Sequence, residues 1–202
     1  MMTPLENSVL EKSHLHQMAQ GVQGWLSEKE GEALYAWANE GRQAVVEIGS
    51  WKGRSSVYLG QGVVDAGHPR NVFCVDHFTG SREHREMPEY AGKPIWTFPD
   101  FLANLVKTEL LGTVIPLTMT SEQAAKDWFL PFDLLFIDGG HDPDVVRADV
   151  EAWEPLLSLG GRIALHDWGS EGVGYATAYL ENSGRFEVAL RKGTIWNAVK
   201  LA

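Results

Sequence analysis

The chain has 202 residues, enough for one domain with a sizeable core and too few for two ordinary ones. Hydrophobic residues make up 44% and charged residues 22%, the balance of a folded globular protein. A net charge of -10, with no run of Lys or Arg, excludes a nucleic-acid partner held through phosphate contacts and leaves small molecules as the expected ligands.

Residues 1–20 mix polar and apolar side chains without the continuous apolar segment of a signal peptide. No stretch reaches the roughly 20 apolar residues of a membrane helix, so a cytoplasmic location with no membrane partner is expected. Residues 1–43 read as a separate N-terminal helical cap, with 28–39 its strongest helix. Such a cap can close one end of a sheet or pack on a second subunit, which permits a homodimer. From residue 44 onward, short apolar runs alternate with longer amphipathic segments, the signature of a parallel sheet between helices. The runs lie at 44–48, 72–75, 114–117, 132–137, 162–165, 186–190 and 195–199. Helices are expected near 55–64, 100–111, 121–128, 143–157 and 173–181. In the fourth of these, Val145, Val146, Val150, Trp153 and Leu157 form an apolar stripe. Only residues 191–194 separate the last two runs, with Lys192-Gly193 as the turn. That link is too short for a crossover, so these runs form an antiparallel hairpin. The single cysteine, Cys74, falls in a strand and reads as a buried thiol rather than a nucleophile. The stretch 77–99 is longer and richer in Gly, Pro and aromatics than an ordinary strand–helix connection, and it reads as a lid-like insertion.

Chemistry concentrates at strand ends. Val45–Ile48 runs into Gly49, Ser50, Trp51, Lys52 and Gly53, followed by Arg54, Ser55 and Ser56 at the start of a helix. The glycines permit a tight turn and close approach of a ligand, and a helix start offers free N–H groups to an anion. Ser55 adds a hydroxyl donor. Asp76 ends the next strand, where an acid in a doubly wound sheet can accept from ribose hydroxyls. The strand 132–137 delivers Asp138 and His141, and the following strand delivers His166 and Asp167. Four such groups at adjacent strand ends can bind a divalent cation, perform acid–base chemistry, or do both.

The order Glu47-x-Gly49-x-x-x-Gly53, Asp76, Ile137-Asp138-Gly139-x-His141 and Gly160-Gly161-x-Ile163-x-x-His166-Asp167 resembles the class I methyltransferases that use S-adenosylmethionine. It is most similar to the small-molecule O-methyltransferases related to catechol O-methyltransferase and to macrolide-sugar and cephalosporin-pathway enzymes. The resemblance implies an α/β, Rossmann-like, seven-stranded and mostly parallel sheet, order 3-2-1-4-5-7-6, last strand antiparallel, with helices on both faces. It implies S-adenosylmethionine as cofactor, its methionine part held by Glu47, Gly49, Ser50, Gly53 and Ser55, its ribose by Asp76, and its adenine bordered by His77 and Ser121 within the 120–122 segment. It also implies a divalent cation on Asp138, His166 and Asp167. The middle ligand is a histidine here, where relatives carry an acid, and imidazole suits Mn or Zn better than Mg. His141, with Asp138 beside it, is the natural base because histidine titrates near neutral pH.

The expected activity is therefore methyl transfer to a small-molecule acceptor, onto a hydroxyl oxygen. Two other classes fit the residues less well. A dinucleotide dehydrogenase needs a tighter glycine turn, and Trp51 stands at the place of its second glycine. A non-catalytic S-adenosylmethionine or nucleoside binder would have no use for the Asp138, His141, His166 and Asp167 group.

Overall fold

The computed structural model describes residues 13–202, so the part of the expected cap at 1–12 lies outside the described residues. Strands β1 (Ala44–Ile48), β2 (Val72–Val75), β3 (Val114–Leu117), β4 (Phe132–Ile137), β5 (Arg162–Leu165), β6 (Phe186–Val188) and β7 (Trp196–Lys200) form one sheet ordered 3-2-1-4-5-7-6. Strands β1 to β5 pair in parallel. Strand β7 is antiparallel to both β5 and β6, as the 191–194 link requires. The helices are α1 (helical residues 13–20), α2 (Glu28–Glu40), α3 (Arg54–Asp65), α4 (Arg82–Glu86), α5 (Phe98–Lys107), α6 (Ser121–Lys126), α7 (Pro143–Trp153) and α8 (Glu171–Asn182).

Helices cover both faces, which is why the parallel strands read as continuous apolar runs. On one face Val45, Cys74, Leu134 and Phe136 pack with Leu34 of α2, Val57 of α3 and Phe101 of α5. On the other, Val46, Ile48, Leu135 and Ile137 meet Val150 and Trp153 of α7 and Leu180 of α8. Leu15, Ala19, Val22 and Leu26 belong to the first of these clusters. Helix α2 lies against α3 so closely that a Cβ on Gly62 would come within 2.4 Å of the Tyr35 carbonyl oxygen. Residues 13–43 therefore share the domain's own core, and position 43 divides no two cores among the described residues.

Two expectations change in detail. Val145, placed in the core stripe, is 44% exposed, because helical geometry turns it a full step from the buried Val146. The helix expected to run to 157 stops at Trp153 and continues as a 3-10 turn over Glu154–Leu156, where Pro155 removes a helical donor.

The 77–99 stretch leaves and rejoins the body at one point. Phe78 is buried against Phe98 and Phe101, with both ring centroids at 5.1 Å. Its carbonyl accepts from the Thr97 N–H at 2.9 Å. In between, α4 begins at Ser81, whose N–H donates to His84 Nδ1 at 3.1 Å. No helix among the described residues is long and apolar enough to cross a membrane.

Candidate active site

The turn after β1 depends on a glycine with a left-handed backbone. Gly49 has φ of +84°, and a Cβ there would sit 2.3 Å from the carbonyl oxygen of Asp138. Only glycine lets the ends of β1 and β4 converge so closely. Two acids then hold the turn. Asp76 Oδ2 accepts from the N–H groups of Ser50 (2.9 Å) and Trp51 (2.8 Å), and Oδ1 accepts from Phe78 N–H (2.6 Å). Beneath the turn, Glu47 Oε2 accepts from Ser50 Oγ at 2.7 Å and from Cys74 Sγ at 3.0 Å, and also from Ser56 Oγ. Glu47 is fully buried, and burial pushes its carboxyl above the usual range despite those donors. It reaches neither cavity and acts as a strut under Ser50. Burial likewise pushes the Cys74 thiol well up, so it is no nucleophile. Helix α3 opens at Gly53 with no side-chain cap, leaving its first N–H groups free for an anion.

Two cavities open at the carboxyl ends of the strands, of about 520 and 280 Å³, and share Gly49, Trp51, Ser81, His84, Asp138 and Gly139 as walls. Ser50 and Ser55 line the larger, whereas Asp76, His77 and Ser121 line the smaller. Ser121 Oγ accepts from Trp153 Nε1 at 2.9 Å. Below the smaller cavity lies Asp149, whose carboxyl burial pushes up to about 6 against a hydrogen bond from Ser121.

At the ends of β4 and β5, carboxylates and imidazoles interlock. His141 Nε2 lies 2.9 Å from Asp167 Oδ2, and its Nδ1 lies 3.8 Å from Glu83 Oε1. The bond to Asp167 raises the His141 pKa above its ordinary value, against the effect of burial. His166 is only 3% exposed. Its Nδ1 is 3.1 Å from both Asp138 Oδ1 and Asp167 Oδ2, and its Nε2 is 3.5 Å from Glu30 Oε2. Burial alone would lower its pKa, but the three carboxylates outweigh burial and push it up to about 12. The group whose ligand atoms gather within 4.8 Å is Asp138, His141 and Asp167. His166, expected as the middle ligand, is not in that group, although its Nδ1 lies 3.1 Å from both of the group's carboxylates. Asp167 adopts φ of +54°, a conformation uncommon outside glycine.

The insertion lies over this floor. The His84 ring stacks on Trp51 at 3.9 Å and 17°, with Trp25 at 5.3 Å from His84 and Tyr90 edge-on to Trp51 at 5.6 Å. Arg82 pairs with Asp142 at 2.9 Å. Glu83 Oε1 also accepts from the His141 N–H at 3.4 Å. Glu30, Trp25, Glu83 and Asp149 escaped the sequence reading. Asp149 alone left a signal there, since it sits three residues after Val146 and four before Trp153, on the buried side of α7.

A strand–turn–helix ligand cradle beside an acid–imidazole cluster, at the carboxyl edge of this sheet, defines a Rossmann-like group-transfer domain. Residues 46–168 match the family described as methyltransferase domain, and the chain belongs to that family. Solved structures share the fold. The O-methyltransferase NovP is 16% identical with a TM-score of 0.71, covering 87% of this chain and 81% of its own. The SAH-bound methyltransferase PaMTH1 of Podospora anserina is 14% identical with a TM-score of 0.70, covering 100% and 98%. An O-methyltransferase from Bacillus cereus in complex with SAH is 18% identical with a TM-score of 0.61, covering 94% and 90%.

Proposed function

We propose that the chain transfers the methyl group of S-adenosylmethionine to a hydroxyl oxygen of a small molecule. The observation that carries this reading is the shared wall Gly49–Asp138. It joins a cavity lined by Asp76, His77 and Ser121 to one lined by Asp138, His141 and Asp167. In the smaller cavity, His77 and Ser121 border the adenine. A carboxylate offers about four lone-pair sites, and the protein takes three on Asp76, leaving one for a ribose hydroxyl. In the larger, Ser50, Ser55 and the uncapped start of α3 receive the methionine carboxylate.

The cofactor supplies an electrophilic methyl carbon. The protein's share is to align an acceptor oxygen with it and to remove that oxygen's proton; alignment alone is worth about 7–11 kcal/mol. Asp167 holds the Nε2 side of His141, so Nδ1, whose nearest carboxylate is 3.8 Å away, is the nitrogen free to take the proton. The stacked Trp51 and His84, with Met87 of the insertion, form an apolar part of the cavity wall. Asp138, His141 and Asp167 are also the residues that would hold a divalent cation, and two carboxylates with one imidazole fit such an ion. When bound, it would lower the pKa of an acceptor hydroxyl.

Calorimetry tests the reading. Wild-type protein is expected to bind S-adenosylmethionine and its demethylated product, and Asp76→Ala to weaken both by about 1.5–3 kcal/mol per charge-assisted hydrogen bond lost. Absence of binding by the wild type sinks the proposal. Binding without methyl transfer to any phenol, catechol or sugar points to a non-catalytic binder. Full activity in chelator, with no metal by elemental analysis, leaves the cluster to acid–base work alone.

A further inference from the structure

Glu30 belongs to helix α2, far along the chain from His166 and Thr194, yet it is buried against them. Its two carboxylate oxygens face three different segments. Oε2 accepts from the Ser27 N–H at 2.9 Å and from Ser27 Oγ at 2.7 Å, closing the start of α2, and lies 3.5 Å from His166 Nε2. Oε1 accepts from the N–H (2.7 Å) and the hydroxyl (2.8 Å) of Thr194, in the turn between β6 and β7. The turn is fitted to it, since a Cβ on Gly193 would meet Oε1 at 2.5 Å.

His166 carries this contact onward. Its Nε2 edge meets Glu30, and its Nδ1 edge meets Asp138 and Asp167, each at 3.1 Å. An imidazole is rigid, so holding one edge fixes the other. Among the described residues no other charged group is within ion-pair distance of His166. The geometry points to Glu30 as a positioning residue for methyl transfer: through the His166 ring it sets where Asp138 and Asp167 stand, and so ties the active-site floor to the docking of α2 and the β6–β7 turn. Glu30 itself lines neither cavity. The inference rests on the methyl-transfer reading for its effect on rate, but its structural core does not.

A helix cap and turn anchor with no further duty would be a bland alternative, and it predicts lost stability only. The test compares Glu30→Ala with Ser27→Ala, which removes one arm of the cap and leaves the His166 contact in place. Crystal structures of both are determined, and turnover is followed with S-adenosylmethionine and catechol below the onset of melting. In Glu30→Ala the His166 Nδ1 contacts to Asp138 and Asp167 should open beyond hydrogen-bond reach. The turnover rate should fall about 100-fold, the cost of a misplacement of about 1 Å, with KM for S-adenosylmethionine nearly unchanged. Ser27→Ala should keep both contacts and the wild-type rate. Should Glu30→Ala fail to fold, the isosteric Glu30→Gln gives the same readouts. A folded Glu30 variant that keeps both 3.1 Å contacts overturns the inference, as does one that loses them at full turnover. A wild type that methylates no acceptor counts against the methyl-transfer reading instead, and the contacts in the variant structures still decide the role of Glu30.

Discussion

Beneath the Ser50–Trp51 turn a buried carboxyl, Glu47, faces two hydroxyls and a thiol; at the ends of β4 and β5, Asp138, Asp167 and Glu30 face imidazoles. Glu47 and Glu30 are both buried, whereas Asp138 and Asp167 are partly exposed. The neutral donors around Glu47 leave burial dominant, and its carboxyl is pushed up toward the uncharged form. The imidazoles reverse the outcome. The bonds to His141 and His166 hold Asp167 well below the usual carboxylate range, and Glu30 is lowered although burial opposes it. Burial therefore does not set the charge of an acid by itself; the partner does. Under the cradle the partners of the buried acid are hydroxyls and a thiol, and at the cluster they are imidazoles.

The largest expected effect breaks the ionic side. His166→Ala leaves three carboxylates without their shared partner, and removing one member of a buried pair costs about 3–5 kcal/mol. Denaturant melts of the variant measure this. In the wild type, the share owed to the lowered Glu30 and Asp167 is present above the ordinary carboxylate range and is lost as pH falls. The share owed to the raised His166 is complete below the ordinary imidazole value and is lost as pH climbs toward about 12.

Next comes His141→Ala, expected to lower turnover by about 10²–10⁴-fold while leaving cofactor affinity nearly unchanged. Because Asp167 raises the His141 pKa, the wild-type rate should fall on the acid side from a pH above the ordinary histidine value of about 6.5. Asp167→Asn should move that limb back down. Saturation kinetics across pH decide this, and an unmoved limb removes the pairing from the mechanism.

A smaller effect sharpens the contrast. Asp149 behaves as Glu47 does, with burial raising it to about 6 from an unfolded value near 3.8. A raised carboxyl gives its full stability below the unfolded value and loses it as pH rises through the folded one. Asp149→Asn should thus stabilise the protein at pH 7–8 by about 1–3 kcal/mol, one pKa unit being about 1.4 kcal/mol, and change little at pH 4. Thermal melts at both pH values test the sign. The smallest effect is Glu47→Gln. Replacing a carboxyl already pushed toward its neutral form should shift stability by about 1 kcal/mol or less, within the net worth of one hydrogen bond.

The strands of the sheet were legible in the sequence as short apolar runs, and the terminal hairpin because the 191–194 link is too short for a crossover, while their order came with the resemblance to the class I methyltransferases. Asp138, His141 and Asp167 were legible because strand ends in such sheets converge on one edge. The place of His166 was not. A strand end gives a position, while the side on which the ring lies depends on Glu30, a residue 136 positions earlier. Glu30 also closes the start of α2 onto Ser27, and that local role hides the distant one. Val145 misled for a related reason. Apolar spacing marked the stripe on α7, but the edge of the smaller cavity, which Val145 lines, could not be foreseen.

The pinch between Phe78 and Thr97 gives the 77–99 stretch a property of its own. A segment whose two ends are fastened together can lengthen, shorten or be exchanged without shifting β2 or α5, since each doubling of such a loop costs only about 0.6 kcal/mol. Its inner side supplies Ser81, Glu83, His84 and Met87 to the larger cavity. The molecule thus keeps one wall of the larger cavity on a segment that can change while the sheet stays as it is.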